Sequence, residues 1–239
     1  MSTGAWLVVV AAGKGVRLGS DLPKAHVPLG GRPLLFYSLE SAARSESIGN
    51  IVVVADPAVA GETLSGLSTQ ASAKLQSVVP GGETRRQSVV CGLTAVRNLA
   101  TGDPVVLVHD AARPFAPPEL FDRAAREAAD GAVICSLPVV DTVKKTDGER
   151  IIATLPRETL ALAQTPQCAR LSLLTRAHEQ SDDDRAGDDA VLLEALGVPV
   201  RVLVGPTTNF KITTPEDLAL AEAWVAGGGA PWMPAGEKS

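Results

Sequence analysis

The strongest constraint on the fold is an alternation between short, mostly apolar runs and longer segments with helical periodicity. The apolar runs have the length of strands, are rich in valine and isoleucine, and cover residues 6–10, 51–55, 75–79, 105–108, 132–139 and 200–204. The helical segments cover residues 33–44, 84–99, 118–129, 171–180, 188–196 and 214–225. Because continuously apolar strands are buried on both faces, the pattern predicts a three-layer α/β fold with a mostly parallel, Rossmann-like sheet.

Residues 141–154 interrupt this alternation. An Asp147-Gly148 turn between two short β-prone runs predicts a β-hairpin arm that leaves the main sheet. Such an arm has few core residues of its own, so it serves either as a subunit interface or as a solvated flap. We predict one domain over residues 1–226 that includes this arm, followed by a disordered tail at 227–239, which is rich in glycine and proline.

Composition excludes several functional classes. The 239 residues are 45% apolar, which is enough for a sizeable core, while a net charge of -5 and 3% aromatic residues disfavour a nonspecific nucleic-acid binder. The early apolar stretch at 5–12 is far shorter than the ~20 residues that span a bilayer, so we expect a cytoplasmic protein without membrane contact. The three widely spaced cysteines, Cys91, Cys135 and Cys168, are expected as buried thiols.

The loop after the first strand predicts a phosphate site. Small residues dominate it: Ala11, Ala12, Gly13 and Gly15. Their backbone amides are accessible to a ligand, and α/β sheets bind nucleotides at this end of a strand. The glycine spacing matches neither the dinucleotide fingerprint nor the Walker motif. Arg17 and Lys24 add two cations that suit a triphosphate, although ordinary solvated loop charges are the alternative.

Six segments in order carry a resemblance to a known family. They are A-A-G-x-G-x-R-L-x(4)-P-K at 11–24, GGETRRQSV at 81–89, VHDAARP at 108–114, PVVDTVK at 138–144, QTPQ at 164–167, and NFKIT followed by PEDL at 209–218. From about residue 8 to 222 the chain resembles the 2-C-methyl-D-erythritol 4-phosphate cytidylyltransferases of the non-mevalonate isoprenoid pathway. The resemblance implies a fold of the nucleotide-diphospho-sugar transferase type. It also implies transfer of CMP from CTP to that polyol phosphate, with release of pyrophosphate and with Mg²⁺ or another divalent cation.

The resemblance implies roles for four cations. Arg17 and Lys24 would stabilise charge on the α-phosphate and the leaving pyrophosphate, while Arg157 and Lys211 would hold the acceptor phosphate for in-line attack. A phosphate monoester has a second pKa of about 6 and is already ionised near pH 7, so no general base is required. For Arg157, an ordinary loop cation after Pro156 is the alternative.

The resemblance also implies binding residues. Those for CTP are Ala11, Ala12, Gly13, Gly15, Gly81, Gly82, Glu83, Ser88 and Ala111. Those for the acceptor are Asp110, Arg113, Thr142 and Thr165, and Asp110 is also placed near a metal held largely by the CTP phosphates. Structural alternatives stay open: Thr84 as a helix cap, Asp110 and Arg113 as an ion pair, and His109 as a packed histidine. The arm is implied to pack across a two-fold homodimer and to bring the partner's residues near the acceptor.

Two positions depart from the family pattern. Gly187 stands where the resemblance implies a threonine, so the implied cross-dimer hydroxyl contact to the acceptor would be missing, and residues 85–87 vary from a commoner acidic spacing. Two other functions compete with this assignment. One is a ribitol 5-phosphate cytidylyltransferase, which differs only in its polyol contacts. The other is a noncatalytic CTP-binding protein, against which the presence of all four cations argues.

Overall fold

The computed structural model describes residues 4–13, 15, 18, 22–181, 187–228, 230 and 232. Its central sheet contains β1 (Ala5–Val10), β4 (Ile48–Val54), β5 (Leu75–Val79), β6 (Val105–Asp110), β7 (Ala132–Pro138), β10 (Ala161–Arg170) and β11 (Val200–Val204). The strand order is β11-β7-β10-β6-β1-β4-β5. Every neighbouring pair is parallel except those of β10, which runs antiparallel to both β6 and β7. The predicted mostly parallel α/β sheet is confirmed.

Helices cover both faces of this sheet. They are α1 (Leu34–Arg44), α2 (Pro57–Ser65), α3 (Thr69–Lys74), α4 (Arg85–Leu99), α5 (Pro118–Glu127), α6 (Leu171–Glu179), α7 (Asp189–Ala195) and α8 (Pro215–Ala226). Leu7 and Val9 of β1 pack with α1 and α5, whereas Trp6 and Val8 pack with α4, α6 and α7. Because successive side chains of a strand point to opposite faces, this burial requires the continuously apolar runs seen in the sequence.

A third apolar cluster fixes the last helix. Helix α8 packs on the short hairpin formed by β2 (Pro28–Leu29) and β3 (Arg32–Pro33). Tyr37, Phe115 and Trp224 fill the space between them, and the rings of Phe115 and Trp224 have centroids 5.4 Å apart. This cluster holds the segment between β11 and α8 against the loop that follows β6.

The arm is a separate two-stranded β-hairpin, as predicted. Strand β8 (Val143–Asp147) pairs antiparallel with β9 (Arg150–Leu155), and Gly148 adopts a φ of +56° in the turn between them, a conformation that favours glycine. The side chains of Ile151 and Ile152 on β9 are 63% and 55% exposed. The arm therefore presents apolar surface that its own chain does not cover.

Five elements were not predicted from the sequence: the short strands β2 and β3, the strand β10, and the helices α2 and α3. Strand β10 contains Gln164, Thr165, Pro166 and Gln167, which interrupt the apolar pattern, and its pairing with β7 changes register between Ala163 and Gln167. Its polar side chains are nevertheless buried and hydrogen-bonded, since Asn209 donates to Gln164 Oε1 and to the Thr165 carbonyl. Helices α2 and α3 are short and present few large apolar side chains, so their periodicity is weak.

The remaining structural predictions concern the thiols, the membrane and the tail. Cys135 and Cys168 are buried as predicted, while Cys91 is half-buried, and all three are free thiols. Among the helices that the structure describes, none has the length and apolar character needed to span a bilayer. Most of the predicted disordered tail lies outside the described residues, which reach Gly228 and then include only Ala230 and Trp232.

Candidate active site

A cavity of about 390 Å³ opens at the carboxyl edge of β1 and β6. It brings together eleven of the residues predicted for binding or catalysis: Ala11, Ala12, Gly13, Gly15, Lys24, Gly82, Glu83, Ser88, Asp110, Ala111 and Lys211. These residues come from four separate segments of the chain, which meet because parallel strands end at the same edge of the sheet.

The loop after β1 forms the first wall. The backbone N–H of Lys24 donates to the Gly13 carbonyl at 2.9 Å and closes the loop on itself. Gly15 adopts a φ of +68°, and a Cβ there would lie 3.0 Å from the Lys24 Cβ, so this position requires glycine. The loop thus directs Lys24 into the cavity. Arg17, the other cation predicted in this loop, lies outside the described residues.

The segment between β5 and α4 forms the second wall. A Cβ on Gly81 would lie only 2.3 Å from the Ala12 Cβ, so glycine lets this segment approach the first loop, although Gly81 itself does not line the cavity. The Gly82 N–H donates to Ser88 Oγ at 3.2 Å. Thr84 caps α4 by accepting from the Gln87 N–H, as its structural alternative predicts, and it also lines the cavity.

The floor of the cavity, formed by Asp110, Lys211 and Arg85, carries a compact arrangement of charges. Asp110 ends β6, and its Oδ2 accepts from Lys211 Nζ at 2.6 Å while its Oδ1 accepts from Arg85 Nε at 3.1 Å. Lys211 is brought here because the Ile212 N–H donates to the Ala112 carbonyl. Burial alone would raise the pKa of Asp110, but the charges of Arg85 and Lys211 outweigh it and hold that pKa well below its ordinary value. Asp110 is therefore ionised and paired at neutral pH.

Besides Gly81, four other predicted residues that the structure describes do not line this cavity. Arg113 is buried and donates to the carbonyls of Asn209 and Ala163, while the Thr165 hydroxyl accepts from the Asp110 N–H at 3.0 Å. Arg113 and Thr165 therefore hold the backbone around the floor without lining the cavity. Thr142 is exposed at the start of the arm, and Arg157 follows the arm, where it donates to the Val140 carbonyl.

His109 is a packed histidine, as its structural alternative predicts. Its ring is fully buried against Phe121, with centroids 5.0 Å apart, and its Nδ1 lies 3.0 Å from Thr165 Oγ1. Burial lowers its pKa to about 4, so the ring is neutral at pH 7. It therefore supplies no charge to the cavity.

Two functional candidates were missed in the sequence. Arg85 lines the cavity and bridges Asp110 to Asp189, whose side chain is inaccessible to solvent. Arg85 belongs to the quoted GGETRRQSV segment, which was a usable signal. The sequence around Asp189 gave no signal of this contact, since only the folded chain brings Asp189 beside Arg85.

The carboxylates of the cavity offer little to a metal ion on their own. Within the described part of the chain, no group of three or more His, Cys, Asp or Glu side chains is arranged to hold one. Both oxygens of Asp110 accept from cationic side chains. Since Mg²⁺ is commonly bound by one or two carboxylates together with substrate phosphates, this site fits an ion that arrives with a nucleotide.

A parallel α/β sheet with a glycine-rich loop, a fixed lysine and a second cation on the floor defines a nucleotidyltransferase site. Comparisons with known proteins make this class more specific. The family model described as IspD, 2-C-methyl-D-erythritol 4-phosphate cytidylyltransferase, matches residues 5–227. The chain belongs to this family and is a cytidylyltransferase.

Individual relatives agree with the family model. A protein of that name from Frankia casuarinae is 46% identical over 222 residues, which cover 92% of this chain and 80% of the relative. One from Geobacter metallireducens is 42% identical over 226 residues, covering 91% and 96%. The solved enzyme of the same name from Thermus thermophilus aligns with a TM-score of 0.73 and 36% identity, covering 92% of this chain and 98% of that one. The ribitol and noncatalytic alternatives are not favoured by these likenesses.

Proposed function

We propose that this enzyme transfers CMP from CTP to the phosphate of 2-C-methyl-D-erythritol 4-phosphate, giving the CDP-alcohol and pyrophosphate. The observation that carries the proposal is the meeting of Lys24 and Lys211 in one cavity with the glycine-rich loop. An acceptor phosphate oxygen attacks the α-phosphorus of CTP in line, and the bond from that phosphorus to the bridging oxygen of pyrophosphate breaks. We propose that each chain contributes a single domain, residues 1–226, to the reaction, which takes place in the cytoplasm, where both charged substrates are dissolved.

Two pairs of cations, Lys24 with Arg17 and Lys211 with Arg157, have separate roles in this proposal. Lys24, with Arg17, neutralises charge that grows on the α-phosphate and the departing pyrophosphate. Lys211 holds the acceptor phosphate above Asp110, since its ammonium group contacts Asp110 at the floor and its side chain is 36% exposed. The backbone of Gly82, the Ser88 side chain and the first loop bind the nucleoside. The acceptor phosphate is already ionised and has no proton to lose before it attacks. The reaction therefore requires no general base at the floor.

Mg²⁺ is the proposed cofactor, held mainly by the CTP phosphates. When bound, it supplies positive charge that neutralises the triphosphate. Asp110 lies beside Lys211 at the floor, and Glu83 lines the same cavity. Their contribution is to orient the loaded nucleotide rather than to form a complete metal cage.

The arm supports a proposed homodimer. Ile151, Ile152 and Val140 are exposed apolar side chains on or beside it, and a second copy of the chain would cover them. Arg157 follows the arm and does not line the cavity of its own chain. For its implied role at the acceptor phosphate, we therefore assign Arg157 to the site of the partner subunit.

Replacing Arg157 with alanine should lower kcat/KM for the acceptor by about 100-fold and leave CTP affinity within about threefold, because a bidentate guanidinium contact to phosphate is lost. Steady-state kinetics with each substrate varied, together with calorimetric CTP titration, measure the two effects. Equal losses for both substrates would place Arg157 on the donor side instead.

Mixed dimers test whether Arg157 acts across the interface. Random exchange of Arg157→Ala and Lys24→Ala subunits should recover about a quarter of the wild-type sites, since one site in each heterodimer then has both cations. If Arg157 serves its own chain, the mixture regains no activity.

Pyrophosphate release tests the reaction itself. The purified chain is incubated with CTP and Mg²⁺ and with either 2-C-methyl-D-erythritol 4-phosphate or ribitol 5-phosphate, while ATP and UTP replace CTP in control samples. We expect release with CTP and the first acceptor alone. Pyrophosphate release only with ribitol 5-phosphate would show that the enzyme uses another polyol phosphate. Tight CTP binding without pyrophosphate release would show a noncatalytic protein.

A further inference from the structure

Arg85 lines the cavity and contacts two buried carboxylates. Its Nε donates to Asp110 Oδ1 at 3.1 Å, and its Nη2 donates to Asp189 Oδ2 at 2.9 Å. The side chain is 23% exposed, whereas those of Asp110 and Asp189 are 10% and 0% exposed. Arg85 thus connects the acceptor floor with a carboxylate that lies outside the cavity.

The contact with Arg85 fixes the orientation of Asp110. One carboxylate oxygen accepts from Arg85 and the other from Lys211, so the carboxylate plane is set by two cations from different segments. The backbone N–H of Asp110 is also held, because it donates to the Thr165 hydroxyl. The position of the Lys211 ammonium group therefore depends on a carboxylate that Arg85 holds in place.

Asp189 is itself held in a rigid setting. Its Oδ1 lies 3.1 Å from His178 Nε2, and its backbone N–H donates to Gln167 Oε1 at 2.8 Å. Asp189 does not line the cavity, and the described contact that joins it to the acceptor floor passes through Arg85. A guanidinium group can serve both carboxylates at once because its donors diverge in one plane, which an ammonium group cannot reproduce.

We propose that Arg85 is a positioning residue of the transfer reaction: held by Asp189, it orients Asp110 and so places the Lys211 ammonium group for the acceptor phosphate. This inference rests on the proposed function. A purely structural role, in which Arg85 only neutralises two buried carboxylates, makes a different prediction. It would change stability and the use of both substrates together.

Two conservative substitutions separate these roles. Asp189→Asn keeps the shape but removes the charge that holds Arg85, and Arg85→Lys keeps the charge but loses one of the two contacts. Each should lower kcat/KM for 2-C-methyl-D-erythritol 4-phosphate by about tenfold or more, as is common for residues that orient a functional group. The dissociation constant for CTP, titrated without acceptor, should stay within about threefold, since neither change touches the loop that carries Lys24.

The double variant Arg85→Lys/Asp189→Asn provides the decisive comparison. If Asp189 acts through Arg85, the double variant should lose no more acceptor kcat/KM than Arg85→Lys alone, within about twofold. Asp188→Ala is the matched control, because Asp188 is the neighbouring residue and its side chain caps α7 by accepting from the Val191 N–H. It loosens the same helix without removing a contact to Arg85, so its acceptor kcat/KM should match the wild type.

The outcomes distinguish this role from its alternatives. Losses that multiply in the double variant, CTP binding that weakens as much as acceptor use, or unchanged kinetics in folded variants would each overturn the positioning role. If Asp189→Asn does not fold, the Arg85→Lys kinetics and CTP titration decide alone. Wild-type enzyme assayed beside the variants separates the two proposals. If the wild type shows no turnover, both the proposed reaction and the role of Arg85 are wrong. If the wild type turns over normally and the variants are unaffected, only the role of Arg85 is wrong.

Discussion

Replacing Lys24 with alanine should reduce kcat by about 100- to 1,000-fold, the range seen when one charge-stabilising donor is removed from a preorganised site. The side chain lies in the cavity, and the loop that carries it is closed by a backbone hydrogen bond from Lys24 N–H to the Gly13 carbonyl. That bond does not require the side chain, so the loop should keep its shape. The loss should fall on the transition state, in which charge moves onto the departing pyrophosphate.

Single-turnover rates with CTP and acceptor measure this effect, and urea unfolding checks stability. Lys24→Arg should recover part of the rate, because it restores charge but with a different shape. Arg97→Ala is the control for loss of one positive charge, since Arg97 makes only a long, exposed ion pair of 3.6 Å with Glu179 among its described contacts. A Lys24→Ala rate within threefold of the wild type would remove Lys24 from the mechanism.

Much of the site was predictable because its parts are local in sequence. The loop after β1 and the segment with Gly81 and Gly82 each follow a strand, Asp110 ends another, and parallel strands bring their carboxyl ends to one edge. The arm was predictable for a similar reason, since an Asp-Gly turn between β-prone runs is a short-range signal. Each of these features is specified by fewer than about 15 consecutive residues, the length of an ordinary local window.

The contacts that organise the floor are not local. Asp110 and Lys211 are separated by 101 positions, and Arg85 and Asp189 by 104. Nothing in the spacing of a single sequence indicates such pairs, because they depend on where α4, α7 and the segment before α8 pack. Strand β10 was not predicted for another reason. Its polar residues are buried and hydrogen-bonded to partners such as Asn209, so its burial does not produce an apolar pattern in the sequence. The position of Arg157 likewise depends on a second chain, in our proposal, and not on the fold of one.

Replacing Lys211 with methionine should lower kcat/KM for the acceptor by about 100-fold or more, because the cation that would bind the acceptor phosphate is removed while most of the side-chain volume is kept. It should also destabilise the fold by about 1–2 kcal/mol, since Asp110 then keeps Arg85 but loses the partner of its second oxygen. The expected cost is smaller than the ~3–5 kcal/mol for a fully buried pair, because the Lys211 side chain is 36% exposed.

The double variant Lys211→Met/Asp110→Asn separates stability from catalysis. A neutral amide at position 110 no longer requires a second cation, and its oxygen can still accept from Arg85, so urea unfolding should return most of the lost stability. Acceptor kcat/KM should not return, because the phosphate still lacks its cation. If the double variant regains activity together with stability, Lys211 serves only to neutralise Asp110, and the acceptor phosphate must be bound elsewhere. At near wild-type stability, a further loss of acceptor kcat/KM in the double variant beyond that of Asp110→Asn alone would instead support Lys211 as the group that holds the acceptor for attack.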